Sequence, residues 1–314
     1  TNNVHQHLLA FAQNSDNSIH FTSQELLTYF SLGDFDLIIF HYTYRLAFSQ
    51  LYYDTKYKLK QFTGIKCCFI QDEYDNVSTS IGHMRDIKFD FIYTVVPKKN
   101  IHKIYPKKYF PDTTFINTLT GFYLPDQFSS FNPKAHSKRK FIIGYKGRKL
   151  PMKYGQLAQD KSLIADLVIP FCKENHLRYE ITTSEESRIY GDKYYHFLNN
   201  SIAVLGTESG CNIFDWNGDI ENKINILTES KTFTWKKFFL EYEKDGLMNQ
   251  ISPRMFESIY FRNYLVLFEG SYSGILIPYK HYFPLKKDGS NFPNLLENIN
   301  NIKKIKQTTD RAYN

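Results

Sequence analysis

Short, unbroken apolar runs alternate with stretches of helical periodicity along the whole chain, and no other property narrows its fold so far. The runs predict strands at Asp36–Phe40, Ile65–Ile70, Phe89–Thr94, Lys140–Gly144, Arg178–Ile181, Ile202–Leu205 and Tyr264–Phe268. Strands without polar alternation are covered on both faces, and strand–helix alternation gives parallel sheets joined by right-handed crossovers. Helices are expected over Ser23–Ser31, Arg45–Gln61, Lys161–Asn175, Trp235–Glu243, Pro253–Phe261 and Phe292–Lys306, with Pro170 kinking or ending the third. The polar, proline-bearing stretch Ser129–Arg139 separates two such series, so the expected division is residues 1–132 and 133–314. Two doubly wound domains joined there would leave a cleft between their strand carboxyl ends, where such sheets place ligands.

With 314 residues there is room for about two domains and a sizeable core. Hydrophobic residues make up 42% and charged residues 23%, which excludes a disordered chain. No apolar run approaches the roughly 18 residues that cross a bilayer, and no signal peptide opens the chain, which points to the cytoplasm. Cys67, Cys68, Cys172 and Cys211 form no CxxC pair for a structural zinc. A formal charge of +7 suits an anionic partner, but the basic residues are too dispersed for a nucleic-acid binder. The chain opens without Met on a helical pattern, Val4–Gln13, where a parallel α/β domain starts on a strand. A trimmed fragment or a piece of a longer polypeptide is therefore expected.

Several chemistries lack their motifs. Gly144-Tyr145-Lys146-Gly147-Arg148-Lys149 has the wrong spacing for a nucleotide-triphosphate loop, no GxGxxG follows a strand, and neither GxSxG nor HExxH occurs. Asp34-Phe35-Asp36 fits a metal-diphosphate DxD pattern, and equally a turn leading into a strand.

Three segments carry chemistry. In Phe141–Arg148 a strand runs into two glycines with Lys146 and Arg148 beside them, which describes either a phosphate site or a glycine turn with solvated charges. In Ile251–Ile259, Ser252 at an N-cap and Pro253 at N1 start a helix whose amides and dipole attract an anion. Arg254 adds charge there, and Glu257 one turn on is placed to accept ribose hydroxyls, or is simply solvated. Leu267–Leu276 is a strand ending in a loop, Tyr272-Ser273-Gly274, suited to a diphosphate or sugar.

Gly144–Arg148, Arg188–Gly191, Leu205–Gly210, Ile251–Glu257, Glu269–Gly274 and His281–Asp288 together resemble bacterial glycosyltransferases of the GT-B fold, akin to glycosyltransferase family four and to spore-maturation-like surface-polysaccharide enzymes. The resemblance implies an α/β chain of two Rossmann-like domains facing across a cleft, the first lacking its first strand. It implies a C-terminal half that binds a nucleoside-diphosphate sugar as co-substrate, through Gly144, Lys146, Gly147, Arg148, Ser252, Arg254 and Glu257, with Lys153 a further cation. The family pattern has a second Glu at the position of Asn249. Contact with the donor sugar then falls to Glu208 and Ser209, or to Tyr272, Ser273 and Gly274. His41, Asp72 and Glu73, just past two N-terminal strands, are the candidates for acceptor binding and proton transfer. The implied reaction is a metal-independent, retaining transfer to a bacterial surface glycan or lipid-linked acceptor, with no cofactor and no nucleic-acid partner. The basic, aromatic stretch Pro97–Phe110 is either a contact for an anionic membrane face or a solvated loop. The alternative reading is a non-catalytic GT-B-like domain that binds glycan or scaffolds a larger synthase.

Overall fold

Nine strands form among the described residues, and all of them pair in parallel. The computed structural model describes residues 2–27, 29–48, 50–122, 128 and 130–314. Leu37–Phe40 (β1), Ile65–Ile70 (β2), Phe91–Thr94 (β3) and Thr114–Asn117 (β4) make one sheet in the order β1-β2-β3-β4. Phe141–Lys146 (β5), Tyr179–Thr182 (β6), Ser201–Gly206 (β7), Tyr264–Phe268 (β8) and Phe283–Leu285 (β9) make a second, ordered β6-β5-β7-β8-β9. All seven expected strands are present. The two not foreseen, β4 and β9, are short edge strands, and β9 carries Pro284, which an edge tolerates.

The helices are Asn2–Gln13 (α1), Gln24–Leu27 (α2), Tyr53–Gln61 (α3), Val77–Ile87 (α4), Ile101–Ile104 (α5), Gly155–Glu174 (α6), Asp192–Asn199 (α7), Ile220–Thr228 (α8), Trp235–Tyr242 (α9), Pro253–Tyr260 (α10), Phe292–Ile299 (α11) and Ile302–Tyr313 (α12). α6 continues through Pro170 instead of ending there. Its Ile164, Ala165, Val168 and Phe171 are buried in the core, so packing outweighs the hydrogen bond a proline forfeits. Helix α3 is shorter than expected, because the chain turns over Arg45–Phe48 before Tyr52 opens it. Residues 292–306 break into two helices at Asn300–Asn301, where Asn301 caps the second by accepting from the Lys304 amide at 3.1 Å.

Two compact units result, and neither is continuous in sequence. One comprises Thr1–Ala10, Leu119–Gly210 and Asn249–Asn314; the other comprises Phe11–Thr118 and Cys211–Met248. This partition differs from the single division after residue 132. Of the expected linker, Ser129 lies outside the described residues, while Phe131 and Arg139 are buried. The Arg139 guanidinium donates to the carbonyls of Lys134, Ser201 and Phe261, which ties the stretch into the second sheet. Cys211–Met248 joins the other unit because Phe214, Leu247 and Met248 enter the core behind the first sheet.

The second sheet is covered on both faces. Along β8, Tyr264, Val266 and Phe268 join the layer formed with α6, α11 and α12, whereas Leu265 and Leu267 join that formed with α7 and α10. This two-sided burial is what an unbroken apolar strand signals. No helix among the described residues is long and apolar enough to cross a membrane.

Candidate functional site

The strand order β6-β5-β7 contains a reversal: from β5 the chain passes to one side, and then returns to place β7 on the other. Such a switch point opens a crevice beyond the carboxyl ends of the two central strands. A cavity of about 280 Å³ lies there, within a single compact unit. Its walls are the end of β5 (Gly144 to Arg148), the end of β7 (Val204 to Thr207, then Ser209) and the first turns of α10 (Ser252, Arg254, Met255, Ser258). Lys146, Arg148, Lys161, Arg188 and Arg254 line it, and no Asp or Glu of the described residues does. In a recess of low dielectric, five cations without a facing acid make a seat for a polyvalent anion.

The cations differ in their freedom. Lys146 Nζ lies 2.6 Å from the Glu180 carboxylate, Arg188 pairs with Glu185, and Arg254 donates to the Lys146 carbonyl while lying 5.6 Å over the Tyr194 ring. Arg148 is exposed and has no partner among the described residues. Ser252 begins α10 in an extended conformation with its hydroxyl uncommitted to a cap. The two glycines serve packing. A Cβ on Gly144 would stand 2.3 Å from Ser201 Oγ, and one on Gly147 would stand 2.5 Å from the Tyr145 ring. The Gly147 amide donates to Thr182 O at 2.8 Å, so it extends the β5–β6 ladder instead of pointing at a ligand.

Glu257 is 7% exposed and no side-chain hydrogen bond holds its carboxylate among the described residues. Burial pushes its acid up to about 7, and the Arg254 charge on the same helix restrains the rise. Glu208 is also buried. It accepts from the amides of Ser271 and Tyr272, from the Ser271 hydroxyl and from Asn249. Glu208, Tyr272, Ser273 and Gly274 are absent from the cavity lining: Glu208 binds the Tyr272 amide, Ser273 accepts from the Ile251 amide and Gly274 donates to Ser271 O, while Ser209 is on the cavity wall. Reasoning from sequence missed Arg188, Tyr194, Thr207 and Ser258 as lining residues. Arg188 and Thr207 lie inside segments that carry the resemblance and Ser258 inside the helix-start segment Ile251–Ile259, but Tyr194 gave no signal.

In the other unit, β1 delivers His41 and β2 delivers Asp72 and Glu73. The His41 ring is buried, with Nδ1 accepting from the Thr43 amide at 3.2 Å. Asp72 is exposed, with φ 53°, and accepts from the Tyr74 hydroxyl at 3.0 Å. It lines a recess of about 10 Å³ with Tyr42, Tyr44 and Gln71, room for about one water. Glu73 is placed differently from an acid open to an acceptor, the role the sequence suggests for it. At 2% exposure it accepts from Thr94 Oγ1, from the Val95 amide at 2.9 Å and from the Tyr105 hydroxyl. Both its oxygens accept inside the core, where it joins β2 to β3 and α5. Asp34–Asp36 meets no metal set: no group of three His, Cys, Asp or Glu able to hold an ion occurs among the described residues.

No protein-family model matches the sequence, and no curated protein matches it either. Solved structures do. An alpha-glucosyltransferase in complex with UDP and a 13-mer DNA containing an HMU base is 10% identical, with a TM-score of 0.53 over 88% of this chain and 75% of that one. A mutant of S. aureus TarM with fondaparinux, alpha-GlcNAc-glycerol and UDP gives 12% identity and a TM-score of 0.45 over 81% of this chain, which spans about half (48%) of that enzyme's length. Anabaena Alr3699/HepE in complex with UDP gives 10% identity and a TM-score of 0.42, over 89% of this chain and 73% of that one. The two parallel α/β sheets, their strand orders and the likeness to the alpha-glucosyltransferase make this the GT-B fold.

Proposed function

We propose that this chain is a glycosyltransferase that takes a sugar from a nucleoside diphosphate bound at the β5–β7 switch point. One observation carries the reading: a cavity lined, among the described residues, by five cations and no acid, with the Glu257 carboxylate, unpartnered among those residues, on the helix that forms one of its walls. In this reading Arg148, Lys146 and Arg254 hold the pyrophosphate, helped by the start of α10, and Glu257 accepts the ribose hydroxyls. The UDP held by the alpha-glucosyltransferase of the same fold supports a uridine nucleotide as the first probe.

Transfer breaks the bond between the anomeric carbon and the phosphate oxygen, which keeps the electron pair, and forms a bond between that carbon and the acceptor's hydroxyl oxygen. Fixed cations around it lower the cost of the developing charge, which a divalent ion performs in other enzymes. The reaction is proposed to be metal-independent and retaining, with the acceptor's proton passing to a donor-phosphate oxygen. Asp72 and His41 at the strand ends of the other unit are proposed to orient the acceptor. Glu73 supports them from the core and does not take the proton. The acceptor is proposed to be a glycan or lipid-linked sugar, and the basic, aromatic stretch Pro97–Phe110, where Lys108 lies over the Tyr109 ring, suits an anionic lipid face.

Calorimetry of the intact chain with UDP and GDP, with and without EDTA, tests this. Binding that survives the chelator, followed by slow release of nucleoside diphosphate from a sugar nucleotide, is the expected result. Absence of binding by either nucleotide would remove the reading. Binding without turnover would instead leave a nucleotide-binding domain with no catalytic role.

A further inference from the structure

Three segments around the cavity are tied to one buried carboxylate. Glu208 follows β7, and its neighbours Thr207 and Ser209 face the cavity while its own side chain turns inward, 7% exposed. One oxygen, Oε1, accepts from the Ser271 amide (3.1 Å), the Tyr272 amide (2.8 Å) and the Ser271 hydroxyl (3.0 Å). The other, Oε2, accepts from Asn249 Nδ2 at 2.6 Å. No Lys or Arg among the described residues pairs with it.

The turn that supplies those amides is of a special kind. Ser271 is right-handed (φ −87°, ψ −24°), and the next three residues are left-handed: Tyr272 at φ 44°, Ser273 at 56° and Gly274 at 75°. A right-handed residue followed by a left-handed one turns successive amides inward as an anion-binding nest, and here the anion is part of the chain. Two consecutive non-glycine residues at positive φ persist only where surrounding contacts over-determine them. The contacts are Glu208, the Ser273 hydroxyl accepting from the Ile251 amide at 3.0 Å, and the Tyr272 hydroxyl on Phe268 O at 2.6 Å. Ser209 and Gln250 exchange backbone bonds of 2.8 and 2.9 Å, which joins the end of β7 to the lead-in of α10. A Cβ on Gly270 would meet the Glu208 carboxylate at 2.8 Å, so only glycine leaves room for it.

We propose that Glu208 and Asn249 are a positioning pair for the donor cavity, holding the 249–254 lead-in and the 271–274 turn in place. The proposal rests on the reading of the cavity as a nucleoside-diphosphate site. The path is short: Glu208 holds Asn249, and Gln250 and Ile251 lead directly to Ser252 and Arg254. In Glu208→Gln the charge is lost, and the new amide nitrogen meets the Asn249 nitrogen, donor against donor, unless the Asn249 amide turns over and gives up its present orientation. In Glu208→Gln/Asn249→Asp that nitrogen donates to a carboxylate and the bond is restored, with an amide oxygen left in the nest.

The experiment combines UDP calorimetry with hydrogen exchange of peptides covering 249–254 and 271–274, on the wild type, each single variant and the double variant. Glu208→Gln and Asn249→Asp should each weaken UDP binding about tenfold or more and speed exchange in both peptides. The double variant should recover to within about threefold of the wild type, the signature of a coupled pair. Wild-type affinity in Glu208→Gln, or a double variant no better than the singles, would overturn the pair. If the wild type itself binds neither UDP nor GDP, the donor-site reading fails by itself. The exchange rates then still decide: unchanged exchange in Glu208→Gln refutes the tie.

Discussion

Glu257 and Glu73 are both buried carboxyls pushed up to about 7 by burial, yet their surroundings are opposite. Glu73 is enclosed by three hydrogen-bond donors, Thr94, Val95 and Tyr105, whereas Glu257 has only the Arg254 charge to favour its ionised form. The sign of the resulting pH dependence is set by the raised acid constants. A carboxyl that ionises near 4.5 in the unfolded chain and near 7 in the folded one contributes stability that is whole below pH 4.5. That contribution is lost as the pH rises towards 7. Glu257→Gln should therefore melt with a flatter pH profile between pH 4.5 and 7, and be more stable than the wild type at neutral pH by up to about 3 kcal/mol. If ribose hydroxyls donate to this carboxylate, UDP favours its charged form. Binding near pH 7 then releases a proton, measurable by calorimetry in buffers of different ionisation enthalpy. Arg148, the exposed cation without a partner, has little to hold in the free protein. Arg148→Ala should weaken UDP binding by about ten- to a hundredfold, with a melting temperature within a degree or two of the wild type, a separation that calorimetry and thermal unfolding read directly.

At the level of the elements, the site depends on β5 and β7 lying side by side. Gly144 lets them approach, since its missing side chain is the space that Ser201 Oγ and the Phe197 ring occupy. Gly144→Ala should cost about 1–3 kcal/mol by overpacking and lower UDP affinity through the displaced strand end, which denaturant unfolding and calorimetry check together. The strands were legible because β5, β7 and β8 are unbroken apolar runs buried on both faces. Helices α4 and α7 were not. α4 begins at Asn76 in a left-handed conformation, with amides bonded to Asp215 and Trp216 far along the chain. α7 spans only eight residues, and although Tyr194, Tyr195 and Leu198 recur at helical spacing, so short a run does not by itself separate helix from strand. The donor-side cations were readable as a strand end and a helix start. The inward turn of Glu208 was not, because nothing in Gly206–Gly210 says which of its side chains faces the cavity. Nor was the enclosure of Glu73, whose partners Thr94, Val95 and Tyr105 lie on later elements.

For the molecule as a whole, the discontinuous units matter most. A division at residue 132 reads the chain as two consecutive blocks, but Cys211–Met248 packs with the first sheet and supplies Phe214, Leu247 and Met248 to its core. Hydrophobic periodicity shows that a segment is buried and is silent about which sheet buries it. During synthesis the ribosome releases β1 to β4 long before those three side chains exist, and releases β5 and β7 before their neighbour β8. Nascent chains halted after Gly210 should be degraded readily by protease, and those extended past Leu285 should resist it. Each unit thus waits for a late segment, Cys211–Met248 for one and β8 with β9 for the other, so unfinished apolar surface stays open to wrong partners for longer than in a chain of two consecutive blocks.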